Sequence, residues 1–250
     1  MALRERHLFW DGCLNVRDLG GHPTVDGGET RFGAVVRADS VRQLSEAGWA
    51  ELVGYGISTI VDLRMASELA EDAAGESPVT VVHIPFLEED AEALEEVERV
   101  SKAAPDPVSA TRDVYMVFLE RFRSNVAAAI TAVAKAPEGG VVVHCAGGKD
   151  RTGLVTAFLL SLAGVSREDI AADYALSEAR LRDLHEEWIA QAETEEERER
   201  LRRIALTPAE SMLGVLQELD RRYGGVEEFL KAGGATVADL ERARARLRAS

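Results

Sequence analysis

The chain has 250 residues, of which 46% are hydrophobic and 29% are charged, a composition typical of a soluble globular protein. Its formal net charge is −15, from 29 basic and 44 acidic residues. This charge argues against non-specific binding to nucleic acid or to anionic membranes, since both favour basic surfaces.

Cysteine usage and apolar segments bear on the cellular compartment. The two cysteines, Cys13 and Cys145, are too few for a disulfide framework, which favours a reducing environment. The N-terminal sequence MALRERHLFWDG lacks the apolar stretch of a secretory signal, and the longest nearly apolar run, residues 154–165, is too short to span a bilayer. We therefore expect a cytoplasmic protein with no integral membrane segment; secretion without a cleaved signal stays open.

The first part of the chain predicts strands that alternate with helices. AVVRA near Val35 predicts a short strand, and SEAGWAELVGYG predicts a helix that Ser45 caps and the glycines at 54 and 56 end. ISTIVDLR at 57–64 and VTVVHIPF from Val79 predict two buried strands, because both are rich in β-branched residues.

The middle of the chain predicts a helix followed by a third buried strand. Residues 108–136 have apolar side chains at helical spacing, and Pro137 ends the pattern. GVVVHC at 140–145 predicts the strand, which a glycine-containing turn and a helix starting near Gly153 follow.

The remainder is expected to be helical. Ser166 can cap one helix, and Thr207 with Pro208 at the first helical position can begin another that ends at Gly224. Strands interleaved with helices, followed by a helical half, predict an α/β fold with a central, largely parallel sheet flanked by helices.

We expect residues 1–250 to form one domain with two acidic helical excursions, residues 87–107 and 178–206. Two interpretations of the excursions stay open. Each can be a helix with a solvated charged face, or it can form a lid over a functional site.

The segment VVVHCAGGKDRTG, residues 141–153, carries the clearest chemical signal. A buried strand ends at Cys145, five residues intervene, and Arg151 opens a helix. A loop closed between a strand and a helix can turn successive backbone amides inward, which makes a concave anion site at the positive end of the helix. The sequence therefore predicts a phosphate-binding loop with Cys145 as its nucleophile.

The residue types in this loop suit phosphoryl transfer. Gly147 and Gly148 tolerate the backbone angles that the loop requires and let an anion approach. The guanidinium of Arg151 can grip two phosphate oxygens and follow them into the transition state. The dipoles that bind the anion also stabilise a thiolate at Cys145.

This loop resembles the C-x-x-x-x-x-R phosphate loop of the protein-tyrosine-phosphatase superfamily, and His144 and Thr152 fit the same pattern. The resemblance implies that His144 helps to hold the loop and tune the thiol. It also implies that the Thr152 hydroxyl interacts with the sulfur and assists breakdown of a phosphocysteine.

Other anion-binding motifs fit this segment less well. A nucleotide P-loop is excluded, because Val143 stands where its first glycine belongs and Asp150 follows Lys149. A rhodanese-like sulfurtransferase stays as the enzyme alternative, although its usual loop is shorter. A catalytically idle module that binds phosphorylated residues is the alternative from another class; the cysteine, arginine and threonine together argue against it.

Further motifs narrow the resemblance. NVRDLGG at 15–21, VRADS at 36–40, VDLR at 61–64, the phosphate loop and YGGVEEFL at 223–230 occur in this order. Together they resemble the atypical bacterial tyrosine and lipid phosphatases over roughly residues 10–235. The resemblance implies a phosphatase α/β sheet with additional helices, some of them a lid, and no metal or organic cofactor.

The same resemblance suggests which residues contact the substrate or support the loop. The expected substrate-binding residues are Ala146, Gly147, Gly148, Lys149, Asp62 and Arg64. The expected supporting residues behind them are Arg17, Asp18 and Arg37. Cys13 is expected to be a small buried filler rather than a redox partner of the nucleophile.

A leaving alkoxide or phenoxide needs a proton, so a carboxylic acid should lie near the loop. The sequence contains no Trp-Pro-Asp tripeptide, the usual source of that acid in conventional tyrosine phosphatases. Asp150 is favoured, because it matches the position of an aspartate in the loop of related lipid phosphatases. Asp62 in VDLR and Asp106 between two prolines are the alternatives.

The sequence thus predicts a phosphomonoesterase that acts through a phosphocysteine on phosphotyrosine. Phosphoserine, phosphothreonine and phosphoinositides stay open as further substrates. Lys149 beside Arg151 hints at multiply phosphorylated head groups, or it serves only to stabilise the thiolate or to pair with Asp62.

Overall fold

The structure is a computed structural model that describes residues 5–70 and 77–248. Within these ranges five strands form one sheet, and their bounds are β1 Arg17–Asp18, β2 Val35–Ala38, β3 Ile57–Asp62, β4 Thr80–His83 and β5 Gly140–His144. The helices of the same ranges are α1 Glu46–Gly54, α2 Ala66–Ala70, α3 Ala91–Ala103, α4 Pro107–Arg121, α5 Arg123–Lys135, α6 Asp150–Ala163, α7 Arg167–Arg180, α8 Arg182–Gln191, α9 Glu195–Ala205, α10 Ala209–Tyr223, α11 Val226–Ala232 and α12 Val237–Leu247.

The sheet is mostly parallel, which confirms the predicted α/β class. Its strand order is β1-β2-β5-β3-β4, and only the short edge strand β1 runs antiparallel to its neighbour. In the central strand His144 pairs with Ala38 on one side and with Asp62 on the other. The carboxyl ends of three strands therefore meet at one edge of the sheet, where ligands bind in folds of this kind.

The strands are buried because both faces of the sheet are covered. Neighbouring side chains on a strand point to opposite faces. Ile60 and Val142 pack with Leu52 of α1 in the smaller core layer. Val61 and Val143 belong to the larger layer, which includes apolar side chains of α4 to α7 and of α10 to α12.

Two predicted helix starts are confirmed by their caps. The side chain of Ser45 accepts a hydrogen bond from the backbone amide of Gly48 at the start of α1. The side chain of Ser166 accepts one from the amide of Asp169 at the start of α7. In each case the serine oxygen satisfies an amide that has no partner inside its helix.

The prediction that VTVVHIPF is a buried strand was wrong in its burial. This segment does contain β4, but β4 lies at the edge of the sheet and its side chains are mostly exposed. A β-branched run is typical of strands in general, and whether a strand is central or lies at an edge depends on the sheet around it.

The single helix expected over residues 108–136 is two helices. Phe122 lies between α4 and α5 with φ −115° and ψ 32°, outside the helical region. Both helices present apolar side chains to the larger core layer. The apolar spacing continues across the break, so periodicity alone does not reveal it.

Of two other expected helix starts, the first lies close to its predicted place, where Arg151 was expected to open the helix, and the second was misplaced. The helix after the phosphate loop begins at Asp150, three residues before Gly153. Thr207 does not cap α10, because Pro208 is the residue that precedes the helix. The backbone amide of Thr207 instead donates to the carboxylate of Glu178, and its hydroxyl donates to the carbonyl of Ala175.

Both acidic segments contain helices. Residues 87–107 include α3, which Asp90 caps and which packs against α4. Residues 178–206 include the end of α7 together with α8 and α9, which pack against each other. Across residues 5–70 and 77–248 no helix is both long and apolar enough to cross a membrane.

Candidate active site

Cys145 lies at the carboxyl end of the central strand, where the chain leaves β5 and turns into α6. Its side chain is buried, at 3% exposure. The loop is short, since α6 begins at Asp150. The positive end of a helix that is buried along most of its length therefore lies beside the thiol.

The loop carbonyls are held from outside by hydrogen bonds. The carbonyl of Ala146 accepts from the amide of Ser40 at 2.9 Å, and that of Gly148 accepts from the side chain of Asn15 at 3.0 Å. A guanidinium nitrogen of Arg37 donates to the same Gly148 carbonyl at 2.8 Å. In a trans peptide the next amide points opposite to the carbonyl. The amides that follow these carbonyls therefore face away from the supporting residues, as an anion cradle requires.

Of the two glycines, only Gly148 is required by the backbone. Its φ is +61°, and a Cβ there would lie 2.3 Å from the carbonyl oxygen of Ala38. Gly147 has no positive φ, and nothing lies within 4 Å of the place that a Cβ would take. That Gly147 lets an anion approach stays a prediction.

The loop is supported by a buried cluster of charges. Arg37 donates to one carboxylate oxygen of Asp173 at 3.0 Å, and Arg17 donates to the other at 3.1 Å. Arg17 also donates to the side-chain oxygen of Asn15 at 2.6 Å, and Asn15 holds the loop. Asp173 of α7 thus neutralises two buried arginines and joins strands β1 and β2 to the catalytic loop through them.

Burial and charge act against each other in this cluster. Burial, together with the charge of Arg37, lowers the pKa of Arg17 to about 10 although Asp173 opposes the change. Burial by itself would raise the pKa of Asp173, but the charges of both arginines hold it well below its usual range. The carboxylate is therefore ionised at neutral pH.

Arg151 forms an ion pair that the sequence did not indicate. Its NH2 donates to Oε1 of Glu68 on α2 at 2.8 Å, and its NH1 contacts Oε2 of the same carboxylate. Glu68 in turn accepts from the backbone amide of Met65 at 2.7 Å. Burial alone would lower the pKa of Arg151, but the bond to Glu68 and the charge of the nearby Cys145 raise it above its usual value.

Asp62 and Arg64 form a pair behind His144. Arg64 donates to Oδ2 of Asp62 at 2.8 Å, and His144 Nε2 lies 3.5 Å from the same oxygen. Burial by itself would raise the pKa of Asp62, but the nearby His144 ring and the bonds from Arg64 lower it below its ordinary value. A buried carboxyl in the ionised form is poorly suited to donate a proton. Contact of either residue with substrate stays a prediction.

His144 and Thr152, which the resemblance names as supports of the cysteine, are both fully buried. The ring nitrogen Nδ1 of His144 lies 3.1 Å from the carbonyl oxygen of Cys145. The hydroxyl of Thr152 is buried and has no hydrogen-bond partner among the described residues. Buried hydroxyls normally have a partner, and a thiolate or bound phosphate at Cys145 can supply one.

Lys149 and Asp150 have different surroundings although they are adjacent. The ammonium of Lys149 is buried and contacts the carbonyl of Ile204 near the end of α9. The carboxyl of Asp150 is 42% exposed, lies 3.5 Å from that ammonium and accepts a hydrogen bond from Tyr115 at 2.5 Å. Asp150 is thus a carboxyl at the rim of the loop that a substrate can reach.

Asp106, an alternative proton donor, and Cys13, the second cysteine, each make a contact outside the loop. Asp106 caps α4 by accepting from the amide of Ser109 at 2.9 Å, and this bond holds its pKa below the ordinary value. Cys13 points at the carbonyl of Ser40 with a sulfur–oxygen distance of 3.5 Å. Burial, with the charge of Asp39, raises the pKa of Cys13, as expected for an unreactive filler.

The assembled loop has the arrangement of an anion site with a buried thiol at its base. Within residues 5–70 and 77–248 no group of side chains has the arrangement of a metal site. The sequence profile of the tyrosine phosphatase family matches residues 8–249. The chain belongs to this family.

Relatives of known name agree with that membership. A Cupriavidus necator protein, named as a candidate tyrosine-protein phosphatase, is 32% identical over 72% of this chain and 66% of that protein. The triple specificity protein phosphatase PtpB of Mycobacterium tuberculosis is 28% identical over 98% of both chains. A tyrosine-protein phosphatase of Nostoc commune is 26% identical over 86% of this chain and 74% of the other.

Several residues at this phosphatase site were missed by the sequence analysis. They lie on helices that are distant in sequence from the loop at 145–151: Glu68 on α2, Tyr115 on α4, and Asp173 and Tyr174 on α7. Glu68 lies four residues after the VDLR motif, and this proximity is the one signal in the sequence that bears on it. Nothing in the local sequence distinguishes the other three from ordinary helical residues.

Proposed function

We propose that this tyrosine phosphatase family member hydrolyses phosphotyrosine through a phosphocysteine intermediate on Cys145. The observation that carries the proposal is the arrangement of one short loop. A buried cysteine at the carboxyl end of the central strand faces the start of α6, and the loop carbonyls are bonded away from it. An anion site with a sulfur nucleophile at its base is the chemistry that this arrangement suits best.

In the first step the thiolate of Cys145 attacks phosphorus in line with the leaving oxygen. The sulfur–phosphorus bond forms as the phosphorus–oxygen bond breaks, and Asp150 transfers its proton to the leaving oxygen. Arg151 and the loop amides hold the equatorial oxygens, where charge is spread in the transition state.

In the second step water replaces the sulfur. The water oxygen bonds to phosphorus as the sulfur–phosphorus bond breaks. Asp150, now a carboxylate, accepts the proton that this water releases. Thr152, whose buried hydroxyl lacks a protein partner among the described residues, can donate to the departing thiolate. Inorganic phosphate then leaves, and the thiolate of Cys145 is restored.

Replacement of the nucleophile is the test of this mechanism. Cys145→Ser should abolish turnover of p-nitrophenyl phosphate and of a phosphotyrosine peptide, while vanadate or phosphate still binds with near wild-type affinity. Cys13→Ser is the matched control and should stay active, since Cys13 lies outside the loop with its thiol directed at Ser40. Substantial turnover by Cys145→Ser would refute the proposal, and so would sulfur transfer from thiosulfate by the wild type.

We also propose that phosphoserine, phosphothreonine and phosphoinositides lie within the substrate range. Two observations support this: Lys149 is a second cation in the loop, and one relative is named for triple specificity. A panel of phosphopeptides and inositol lipids, assayed with wild type and Cys145→Ser, tests it. If only phosphotyrosine releases phosphate in a Cys145-dependent way, the substrate range is restricted to phosphotyrosine.

The segment 178–206 is proposed to act as a lid over this site. The ammonium of Lys149 contacts a carbonyl of α9, so this segment touches the loop directly. A head group that draws Lys149 toward a second phosphate would have to break that contact.

A cytoplasmic location is proposed as well, and the free thiols of Cys13 and Cys145 support it.

A further inference from the structure

Two buried phenols lie behind the carboxyl of Asp150. Tyr115 of α4 and Tyr174 of α7 are 2% and 1% exposed. The hydroxyl of Tyr115 donates to Oδ1 of Asp150 at 2.5 Å, and the two phenol oxygens lie 2.8 Å apart. Their rings meet edge to face with centroids 6.1 Å apart, so packing as well as hydrogen bonding holds the pair.

The donor direction along this chain of oxygens follows from counting protons. A phenol has one hydroxyl proton, and that of Tyr115 is directed at Asp150. The proton between the two phenols therefore belongs to Tyr174, which donates to the oxygen of Tyr115. Burial, followed by the charge of Asp150, raises the pKa of both phenols, so both stay neutral and keep their donor roles.

We propose that Tyr115 is a positioning residue for the proton donor, with Tyr174 as its support. The inference rests on the proposed function, in which Asp150 is the general acid. Because Oδ1 accepts from Tyr115, the transferable proton of Asp150 is held on Oδ2. The hydroxyl thereby fixes which carboxyl oxygen faces the leaving group, and it does so from helices outside the loop.

Other groups that face Asp150 set its ionisation together with the phenols. Lys149 and Arg151 of the loop are cations that favour the carboxylate, and so does the donor hydroxyl of Tyr115. His185 of α8 also interacts with Asp150, but burial and then the charge of Lys149 lower the pKa of His185, which keeps it neutral at neutral pH. A bound phosphate dianion and the thiolate act in the other direction. Removal of the Tyr115 hydroxyl therefore removes one of three contributions that favour the carboxylate.

Loss of the Tyr115 hydroxyl should move the descending limb of the pH profile to higher pH. An acid that must be protonated loses activity as pH rises, so it determines the descending limb of the pH profile. Without the Tyr115 donor the carboxylate is less stable, and Asp150 keeps its proton to higher pH. One ordinary hydrogen bond corresponds to a shift of about 0.5 to 1 pH unit.

The experiment measures kcat/KM against pH for Tyr115→Phe and Tyr174→Phe with two substrates, a phosphotyrosine peptide and p-nitrophenyl phosphate. For Tyr115→Phe we expect the descending limb of the pH profile to move to higher pH by about 0.5 to 1 unit. At the wild-type optimum we expect about a tenfold loss with the peptide, whose phenoxide needs the proton, and a much smaller loss with the nitrophenyl ester. Tyr174→Phe should also shift the descending limb to higher pH and slow the peptide more than the nitrophenyl ester, but both effects should be smaller than in Tyr115→Phe.

The matched control is Tyr223→Phe, which removes the hydroxyl of a tyrosine on α10 that bonds Arg123 and lies outside the site. Its pH profile and substrate ratio should equal those of the wild type. Thermal melting and vanadate affinity verify that each variant is folded and that its loop is intact. If Tyr115→Phe does not fold, Tyr174→Phe decides alone.

An unshifted limb and an unchanged substrate ratio in the folded phenol variants would overturn the positioning role. That result would leave the proposed function standing, provided that Cys145→Ser is inactive. Turnover by Cys145→Ser would instead remove the phosphocysteine mechanism itself. The two failures are therefore distinguishable in one set of proteins.

Discussion

Arg151 and Asp150 are adjacent in the chain, but their side chains meet opposite surroundings. The guanidinium of Arg151 is largely buried and bonded to Glu68 through two nitrogens. The carboxyl of Asp150 is partly exposed and has a neutral phenol, Tyr115, as its donor. Because they begin a helix, the two side chains project in different directions, and one loop can carry both the proposed anion clamp and the proposed acid.

The role of Asp150 can be separated from that of Asp62 by leaving group. Asp150→Asn should slow hydrolysis of a phosphotyrosine peptide by roughly 10²–10⁴, the usual contribution of a general acid. The loss should be much smaller for p-nitrophenyl phosphate, whose leaving group needs little protonation. Steady-state kcat/KM for both substrates measures the difference.

Asp62→Asn is the matched comparison for this prediction. Asp62 is bonded to Arg64 and lies near His144, and its pKa is held low, so its loss should slow both substrates alike. If Asp62→Asn shows the leaving-group difference and Asp150→Asn does not, the acid is Asp62, and Asp150 only shapes the loop.

At the scale of elements, α6 and α9 meet at the mouth of the site through opposite ends. The positive start of α6 faces the loop, whereas the last turn of α9 presents a carbonyl, that of Ile204, to the ammonium of Lys149. A cation that caps a helix C-terminus is favourable, so this contact helps to hold α9 against the loop. An anion bound in the loop would compete with this carbonyl for Lys149.

The lid hypothesis predicts faster oxidation when this segment is absent. Replacement of residues 182–205 by a short glycine-serine linker should raise the rate of peroxide inactivation of Cys145 several-fold, since the thiolate loses its cover. Residual phosphatase activity against time in peroxide is the measurement.

Two controls separate cover from charge in this experiment. Triple replacement of Glu195, Glu196 and Glu197 by Gln keeps the helices and removes acidic charge. Shortening of the other acidic segment, residues 87–107, tests whether any loss of a helix has the same effect. Unchanged inactivation rates after removal of either segment would mean that both are only solvated helices.

At the scale of the whole molecule, one buried carboxylate joins the sheet to the helical half. Asp173 lies on α7, whereas its partners Arg17 and Arg37 lie on β1 and β2. All three side chains are almost fully buried. Removal of one member of a buried ionic group leaves the others uncompensated, which costs far more than the loss of an exposed pair.

Asp173→Asn should therefore destabilise the protein by about 3–5 kcal/mol, measured by urea or thermal unfolding. Asp113→Asn is the matched control, since Asp113 pairs with Arg112 at a half-exposed position and should cost no more than about 1 kcal/mol. Equal stability losses in the two variants would contradict the account of the cluster.

The effect of Asp173 should also depend on pH. Its pKa is depressed by the two arginines in spite of burial, so its stabilisation is fully present above about pH 4, the pKa of an unfolded aspartate. Below that value the stabilisation falls as pH approaches the lower pKa of the folded state. The stability gap between wild type and Asp173→Asn should shrink in acid and stay constant at neutral pH.

The proposed catalytic loop could be predicted from the sequence, because every part of that loop is local. The strand, Cys145, the glycine with positive φ, Arg151 and the helix follow one another within residues 140–163, and hydrogen bonding and steric limits act between near neighbours. Serine caps and β-branched runs likewise indicated α1, α7 and β3 within a residue or two. The parallel order of the sheet followed from the alternation of strands and helices.

The distant side chains that surround that loop could not be predicted from the sequence and are known from the fold alone. Glu68 and Tyr115 are 83 and 35 residues away from their partners Arg151 and Asp150, and Asp173 is 136 residues away from Arg37. A glutamate, a tyrosine or an aspartate on a helix has no local property that reveals which side chain it will meet. The packing of α2, α4 and α7 around the edge of the sheet brings these groups within hydrogen-bond distance, and that packing depends on the whole core rather than on any one segment.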